Sequence, residues 1–111
     1  MTTRADVERM LAEGATFNER SLDGLDLSGL DLGGSSLLKT TLRETKLTGA
    51  RLSESSFAQC DLSGADLSGA DLKNCAFHAC TLSGARFDGA DLHRGGFNES
   101  TADGAQLSRA N

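Results

Sequence analysis

Large apolar residues recur along this chain at every fifth position. Steps of five from position 17 to position 107 reach 19 residues, and 18 of them are Leu or Phe. These positions, called the centres below, are Phe17, Leu22, Leu27, Leu32, Leu37, Leu42, Leu47, Leu52, Phe57, Leu62, Leu67, Leu72, Phe77, Leu82, Phe87, Leu92, Phe97, Ala102 and Leu107. A period of five matches neither the 3.6 residues of an amphipathic helix nor the alternation of a strand. The pattern therefore predicts a repeated structural unit of another kind.

A second, smaller residue precedes each centre by two positions. Apart from Arg20, Leu25 and Leu30, every residue at this position is small, and all three cysteines of the chain occur there. The position two after the centre holds nine glycines, which are Gly24, Gly29, Gly34, Gly49, Gly64, Gly69, Gly84, Gly89 and Gly104. The remaining positions are mostly polar.

This five-residue pattern predicts a coil. A small and a large residue two apart lie on the same side of an extended segment. The polar residues that follow turn a corner, where glycine adopts unusual backbone angles at little cost. Each coil would bury its centres on the axis and pair its backbone groups with the coils above and below.

The segments GADLSGADLKN and LSGARFDGADL repeat the pattern A(D/N)LxG, and the chain from Ala15 to Ala110 resembles the pentapeptide-repeat family. The resemblance implies an all-β fold, a right-handed quadrilateral parallel β-helix with four five-residue sides per coil. It divides the chain into an N-terminal capping helix, residues 1–14, and a β-helix of about 4.75 coils, residues 15–111. At roughly 4.8 Å per coil, the rod would be about 23 Å long.

Twenty residues per coil place residue n below residue n + 20, and this spacing sorts the phenylalanines. Four of the five occur in one column with Leu37, and that column defines the side called the Phe side below. Because the sorting of the phenylalanines was not used to choose the 20-residue spacing, it supports that spacing. The predicted core ladder comprises Phe17, Phe57, Phe77, Phe97, Leu62, Leu67 and Leu72.

The outward position just before each centre distinguishes charged sides from an uncharged one. On one side this position reads Asp26, Lys46, Asp66, Arg86 and Gln106. On the adjacent side it reads Asp31, Arg51, Asp71 and Asp91. Neighbouring opposite charges on these two sides are expected to compensate one another. Their aspartates, the candidate acidic outer ladder, are Asp26, Asp31, Asp66, Asp71 and Asp91. The Phe side has no charge at this position. Its candidate contact surface is Leu38, Ala58, Ala76 and Ala79, unless these small residues merely pack well in stacked strands.

The cysteines and histidines do not form a predicted site. Cys60 would lie below Cys80 with Cα atoms about 4.8 Å apart, which is within disulfide range. Their Cβ vectors would be parallel, so buried free thiols acting as small hydrophobes are expected. His78 and His93 fall on outward sites of different sides, without Cys or carboxylate at metal-ligand spacing. Neither a metal nor another cofactor is expected.

The segment TTRADVERMLAEG predicts the capping helix, from about Ala5 to Glu13. Thr3 would cap it together with Asp6, and Gly14 would end it. An apolar stripe of Val7, Met10 and Leu11 would cover the first coil, with Arg20 at the junction, directed outward or paired. The C-terminal end has no comparable cap, so the last coil would fray, pair with another copy or precede a further domain.

Composition narrows the function classes. The chain has 111 residues, a net charge of −5 and a pI near 4.8, which argues against general binding to DNA, RNA or anionic membranes. It contains no run of apolar residues that would span a bilayer and no signal-peptide pattern. Three cysteines without a CxxC motif suggest neither a disulfide framework nor a zinc site, and a cytoplasmic setting is expected.

The sequence lacks a phosphate-binding loop, a nucleophile elbow and catalytic carboxylates distinguishable from the repeat aspartates, so we do not expect an enzyme. The leading hypothesis is a structural or protein–protein interaction module with a partner of unknown identity. The family resemblance implies that such a module can belong to a larger bacterial assembly or a secretion or effector system. Self-association through the C-terminal end or the Phe side is also expected.

The alternative implied by the resemblance is a DNA mimic that binds type II topoisomerase and confers quinolone resistance. Three features count against it. The acidic columns are interrupted by Lys46, Arg51 and Arg86. The rod would match only about seven base pairs. The C-terminal dimerising helix of those mimics is absent from the sequence.

Overall fold

The computed structural model describes residues 2–14, 16–106 and 110. It contains one helix, α1 (Arg4–Ala12), and four strands, β1 (Thr16–Asn18), β2 (Ser36–Leu38), β3 (Ser56–Ala58) and β4 (Ala76–His78). The strands form a parallel sheet in the order β1-β2-β3-β4. Each residue of β1, β2 and β3 pairs with the residue 20 positions later, as Phe17 does with Leu37. The predicted 20-residue register is therefore present.

The other three sides of the coil keep the same register with single parallel bridges. Ser21 pairs with Thr41, Asp26 with Lys46 and Asp31 with Arg51, and the bridges continue upward in steps of 20. The chain measures 32 × 21 × 21 Å along its principal axes. Ala15 and Leu107, which the repeat pattern also includes, lie outside the described residues, so the coils are not counted to their ends.

The centres fill the interior. Phe17, Phe57 and Phe77 are at most 1% exposed, and Leu62, Leu67 and Leu72 are fully buried. The rings of Phe57 and Phe77 stack with centroids 4.9 Å apart. The sequence predicts Phe97 in the core, but this residue is 40% exposed. It stacks on Phe77 at 5.1 Å on one face, and its other face is left accessible.

The corners have left-handed backbone whether or not they hold glycine. The nine glycines two positions after a centre have φ of 66–72°. Nine other described residues at this position have φ of 50–63° and are Glu19, Lys39, Glu44, Glu54, Gln59, Asn74, Ala79, Arg94 and Glu99. Since L-residues adopt this conformation only at a cost, stacking between coils must impose it.

Helix α1 caps the first coil as the sequence predicts, starting and ending one residue earlier. The side chain of Thr3 accepts from the Asp6 backbone N–H, and Asp6 accepts from the Thr3 N–H, forming the capping box. Val7 is fully buried. Arg4 Nη1 donates to the Asp26 and Ser28 carbonyls at 2.9 and 3.2 Å, which ties the helix to the first coil. Arg20 is exposed beside the helix, as expected.

Buried hydroxyls in the small-residue columns reach the carbonyl of the residue 23 positions earlier. Thr45 Oγ1 donates to Leu22 O at 2.9 Å, and Ser55 Oγ donates to Leu32 O at 2.8 Å. For Ser35 the equivalent position is Ala12, which belongs to α1 rather than to a coil. Among the described residues, Ser35 Oγ is the buried side-chain oxygen without a hydrogen-bond partner.

This contrast predicts opposite effects for one substitution at two matched sites, since Ser35 and Ser55 share a column and are both 1% exposed. Ser55→Ala should lower the free energy of unfolding by about 1 kcal/mol, because a buried hydrogen bond is lost. Ser35→Ala should leave it unchanged or raise it by up to about 1 kcal/mol, because an unsatisfied hydroxyl is removed. Urea unfolding of both variants provides the comparison, and equal losses would contradict this account of the column.

Candidate interaction surfaces

The Phe side is the continuous sheet of the described chain, and it brings the predicted contact residues together. Leu38 and Ala58 are register partners in β2 and β3, and Ala58 is opposite His78 in β4. Leu38 is 41% exposed and, with Phe97, is one of the two exposed large hydrophobics among the described residues. Ala76 is exposed, whereas Ala58 and Ala79 are half-buried. The result is a flat, shallow and weakly polar surface around Leu38.

The Phe side is extended because its corner uses a different hydrogen-bond pattern. On the other sides, the N–H three residues after a centre donates to the centre's carbonyl, as Ala65 N does to Leu62 O at 3.0 Å. Residues 40, 60 and 80 on the Phe side do not make this turn bond. Their backbone N–H groups therefore need other acceptors inside the coil stack.

A column of side-chain donors and acceptors, Thr40, Cys60, Cys80 and Ser100, meets this need, and we call it the polar spine. Cys60 Sγ donates to Leu37 O and Cys80 Sγ to Phe57 O, both at 3.3 Å, while Ser100 Oγ donates to Phe77 O at 3.2 Å. In return, Ser100 Oγ accepts from Cys80 N at 3.0 Å. The sulfurs of Cys60 and Cys80 interact in turn with the N–H groups of Thr40 and Cys60.

The spine changes the interpretation of the cysteines. All three are free and buried, as predicted. Cys60 and Cys80 are in addition hydrogen-bond donors to the Leu37 and Phe57 carbonyls, a role beyond that of the small hydrophobes expected from the sequence. The hydrogen bond to Cys80 and burial raise the pKa of Cys60, and burial raises the pKa of Cys75 to about 12. The sequence does indicate a polar role for the spine column, because that column contains no alanine, whereas Ala50, Ala70 and Ala90 occupy another small-residue column.

The acidic outer ladder has a structural role in the repeat. Each of its aspartates accepts, through Oδ1, the backbone N–H of the residue two positions later, at 3.0–3.2 Å. These donors are Ser28, Gly33, Ser68, Lys73 and His93. The bond is an Asx-turn that closes the corner. The aspartates are therefore explained by the fold before any partner is considered.

The same bonds predict a loss of stability in acid. Hydrogen bonds from Ser28 lower the pKa of Asp26, and those from His93 lower the pKa of Asp91. Burial alone would raise the pKa of Asp66, but the hydrogen bonds from Ser68 outweigh it and lower that pKa. A carboxylate with a depressed folded-state pKa contributes stability above its ordinary pKa of about 3.9, and that contribution is lost as the pH falls through the depressed value.

We therefore expect a melting temperature that is nearly constant from about pH 5 to pH 7 and declines below about pH 4. Circular dichroism melts across this range provide the measurement. A variant with Asn at positions 26, 66 and 91 keeps an Asx-turn acceptor and should show a shallower decline. An unchanged decline in that variant would mean that other carboxylates dominate.

Charge alternates in bands from coil to coil. Residues 16–35 carry four acidic side chains against Arg20, a net charge of −3. Residues 36–55 carry four cations against two glutamates, a net of +2, and residues 56–75 carry three aspartates against Lys73, a net of −2. Ion pairs join some neighbouring bands, as Arg43 in the second band pairs with Asp23 in the first at 2.9 Å. The surface is therefore striped rather than uniformly acidic.

The C-terminal end of the described stack presents an apolar cavity of about 230 Å³. Its lining consists of Leu82, Phe87, Leu92, Phe97, Ala102 and Ala105. Phe97 meets the edge of the Phe87 ring at 6.3 Å, so the exposed aromatic edge is well supported.

Residues 2–14, 16–106 and 110 include no helix long and apolar enough to cross a membrane. In the part of the chain that the structure describes, no three His, Cys, Asp or Glu side chains are grouped to hold a metal ion. His93 is exposed, and its ring contacts Asp91.

These observations define a β-helical solenoid, a class in which each coil contacts only its neighbours. Residues 12–87 and 31–107 match the family model described as pentapeptide repeat region. The chain therefore belongs to the pentapeptide-repeat family. Its similarity to solved members of that family implies a right-handed β-helix. Comparison with curated proteins gave no match.

Solved structures of pentapeptide-repeat proteins resemble this chain. Trypsin-treated QnrB1, a plasmid-mediated fluoroquinolone resistance protein, is 25% identical with a TM-score of 0.80 over 86% of this chain and 46% of its own. The protein alr5209 from Nostoc PCC 7120 is 30% identical with a TM-score of 0.50 over 94% of both chains. Full-length QnrB1 is 19% identical with a TM-score of 0.61, and this chain covers 62% of it. The chain thus spans about half to three fifths of these QnrB1 chains.

Proposed function

We propose that the chain is a non-catalytic scaffold that binds a protein partner through the Phe side, in the region of Leu38, Ala58, Ala76 and Ala79. The single observation that carries this proposal is the exposure of Leu38, at 41%, on a flat four-stranded sheet. An exposed apolar side chain on the outer surface of such a sheet can contact a partner protein.

The other surface residues already have structural roles, and this supports the choice of the Phe side as the binding surface. The outward aspartates close turns, the glycines form corners, and the centres fill the core. Leu38 has none of these roles, since polar Asn18 and Asn98 occupy the equivalent position in other coils. A leucine is therefore not required there by the repeat. The buried free thiols suit a reducing compartment, and we place the protein in the cytoplasm.

The apolar C-terminal end is the second contact that we propose, as a site of self-association. Phe97 and the cavity beside it offer an apolar surface that another copy can cover. Such a contact would be insensitive to salt because it contains no charged lining residue.

Affinity capture from a lysate of the source organism tests the Phe side, with quantitative mass spectrometry of the wild type and two variants. Leu38→Asp should reduce recovery of the partner at least about tenfold, because the carboxylate must be desolvated. Ser53→Asp is the matched control, at the same repeat position of the same coil on another side. A partner that is lost equally with both variants, or with neither, would contradict the assignment.

Similarity to QnrB1 favours one alternative, a DNA mimic that binds type II topoisomerase. The charge bands weigh against it, because duplex DNA presents a negative charge about every 1.7 Å, whereas the second coil here is net positive. A gyrase supercoiling assay separates the two functions. Inhibition at micromolar protein would support the mimic, and the absence of inhibition is the result that the scaffold predicts.

A further inference from the structure

One side of the coil carries an alternating row of charges beside a bare glycine corner, and we call it the alternating face. Its charged row is Asp26, Lys46, Asp66 and Arg86, one residue per coil at successive parallel bridges. Its corner is the column Gly29, Gly49, Gly69 and Gly89, and a Cβ added to any of these would meet no atom within 4 Å. The face is therefore flat and accessible next to the charges.

The charges of this face are only partly used within the molecule. Among the described residues, Asp26, Lys46 and Asp66 are in no ion pair within 4.0 Å, while Arg86 contacts Asp88 at 2.9 Å. The neighbouring side differs, because Arg51 pairs with Asp31 at 3.8 Å and Lys73 with Asp71 at 3.9 Å. Asp26, Lys46 and Asp66 attract their neighbours in the row but are held in no direct ion pair with a described residue, so they can also engage a partner.

The order of these charges is self-complementary in one orientation. If a second copy faces the first with its axis reversed, Asp26 meets Arg86 of the other copy and Lys46 meets Asp66, so all four contacts are attractive. If the two axes run parallel, like charges meet at every level. On the neighbouring side, reversal would oppose Asp31 to Asp91, so that side lacks this property. A reversed, isologous arrangement is what a two-fold axis produces.

We propose that a second copy of this chain docks antiparallel on the alternating face, with the two-fold axis between the levels of Lys46 and Asp66. The bare glycine column lets the two backbones approach, which brings the charged rows within contact range. Four coils span roughly 19 Å, and the rod is 21 Å wide. The contact therefore covers about 400 Å² per copy, half the usual size, and predicts a weak and reversible dimer.

Sedimentation velocity at about 20 mM salt and up to about 1 mM protein tests the proposal. The wild type should dimerise, and the association constant should fall at least about tenfold at 0.5 M salt, since exposed charges are then screened. Lys46→Asp and Asp66→Lys should each lose this salt-sensitive dimer, because each opposes like charges at the central pair. A wild type that remains monomeric at low salt would overturn the proposal.

Mixing the two variants gives the decisive result. In an equimolar mixture, the carboxylate introduced at position 46 faces the lysine introduced at position 66, and Lys46 faces Asp66, so a heterodimer should form. The double variant Lys46→Asp/Asp66→Lys should also dimerise alone. Recovery in a mixture cannot come from a folding defect. Failure to recover in both samples would overturn the antiparallel arrangement.

Two controls separate this contact from others. Lys39→Asp makes the same charge change at a corner of the Phe side and should leave dimerisation unchanged. Phe97→Asp alters the C-terminal end and should also leave the salt-sensitive dimer intact. If either control abolished the dimer as Lys46→Asp does, the contact would lie elsewhere. Basic residues already occupy this repeat position at Lys46, Arg51 and Arg86, so the fold accommodates Asp66→Lys.

Discussion

Replacing Phe77 with alanine should lower the free energy of unfolding by about 3–5 kcal/mol, the largest effect that we expect from one side chain. Phe77 is 1% exposed and stacks between Phe57 at 4.9 Å and Phe97 at 5.1 Å. It also meets the edge of Phe87 at 6.5 Å. Neighbouring coils are held apart by backbone hydrogen bonds, so the cavity cannot close, and the full cavity cost applies.

Phe97→Ala is the matched control for this prediction. Phe97 has one ring neighbour in its own column and is 40% exposed. The same substitution should therefore cost about 1–2 kcal/mol. Urea unfolding followed by circular dichroism measures both variants. Similar losses for Phe77→Ala and Phe97→Ala would mean that the Phe column does not carry the packing energy assigned to it.

The second large effect concerns the polar spine. Cys80→Ala removes the thiol that donates to Phe57 O at 3.3 Å and interacts with the Cys60 N–H. The N–H of Cys60 makes no turn bond and would then lose the sulfur with which it interacts. The expected cost is about 1–3 kcal/mol.

Two further substitutions isolate hydrogen bonding from the loss of volume. Cys80→Ser keeps a donor and an acceptor, as Thr40 and Ser100 do in the same column, and should stay within about 1 kcal/mol of the wild type. Cys75→Ala removes an equal volume from a thiol that makes no side-chain hydrogen bond among the described residues. It should cost about 1 kcal/mol or less. Equal effects of Cys80→Ala and Cys80→Ser would contradict the spine.

Much of the fold follows from the five-residue period because burial in a stacked coil obeys it directly. The positions of Leu62, Leu67 and Leu72 in the core follow from the period alone. The 20-residue register follows from the phenylalanine column, and the capping helix follows from Thr3 and Asp6. Each of these features depends on residues that are close in sequence or repeat at a fixed interval.

Features that depend on which backbone groups are already paired were not predictable in the same way. The role of Cys60 and Cys80 becomes visible only once the turn bond on the Phe side is known to be missing. The left-handed backbone of Ala79 and Lys39 has no local signal, because neighbouring coils impose it. The exposure of Phe97 depends on what lies above it rather than on its place in the repeat.

The candidate sites divide in the same manner. Sequence alone placed the acidic ladder on the surface but did not reveal that its aspartates close turns, because the N–H groups that they accept belong to the corner geometry. The contact surface around Leu38 was identified by its lack of charge. The repeat does not specify the partner, because a fold by itself does not determine a function.

The central claim is that recognition of a different protein, as distinct from docking of a second copy, depends on the Phe side and not on the acidic ladder. The most direct test measures the affinity of the captured partner for two variants, Leu38→Asp and a variant with Asn at positions 26, 31, 66, 71 and 91. Asparagine keeps the turn acceptor while it removes the charge. We predict that Leu38→Asp weakens binding at least about tenfold and that the five-asparagine variant binds like the wild type. The reverse result would contradict the claim and identify the acidic surface as the binding site.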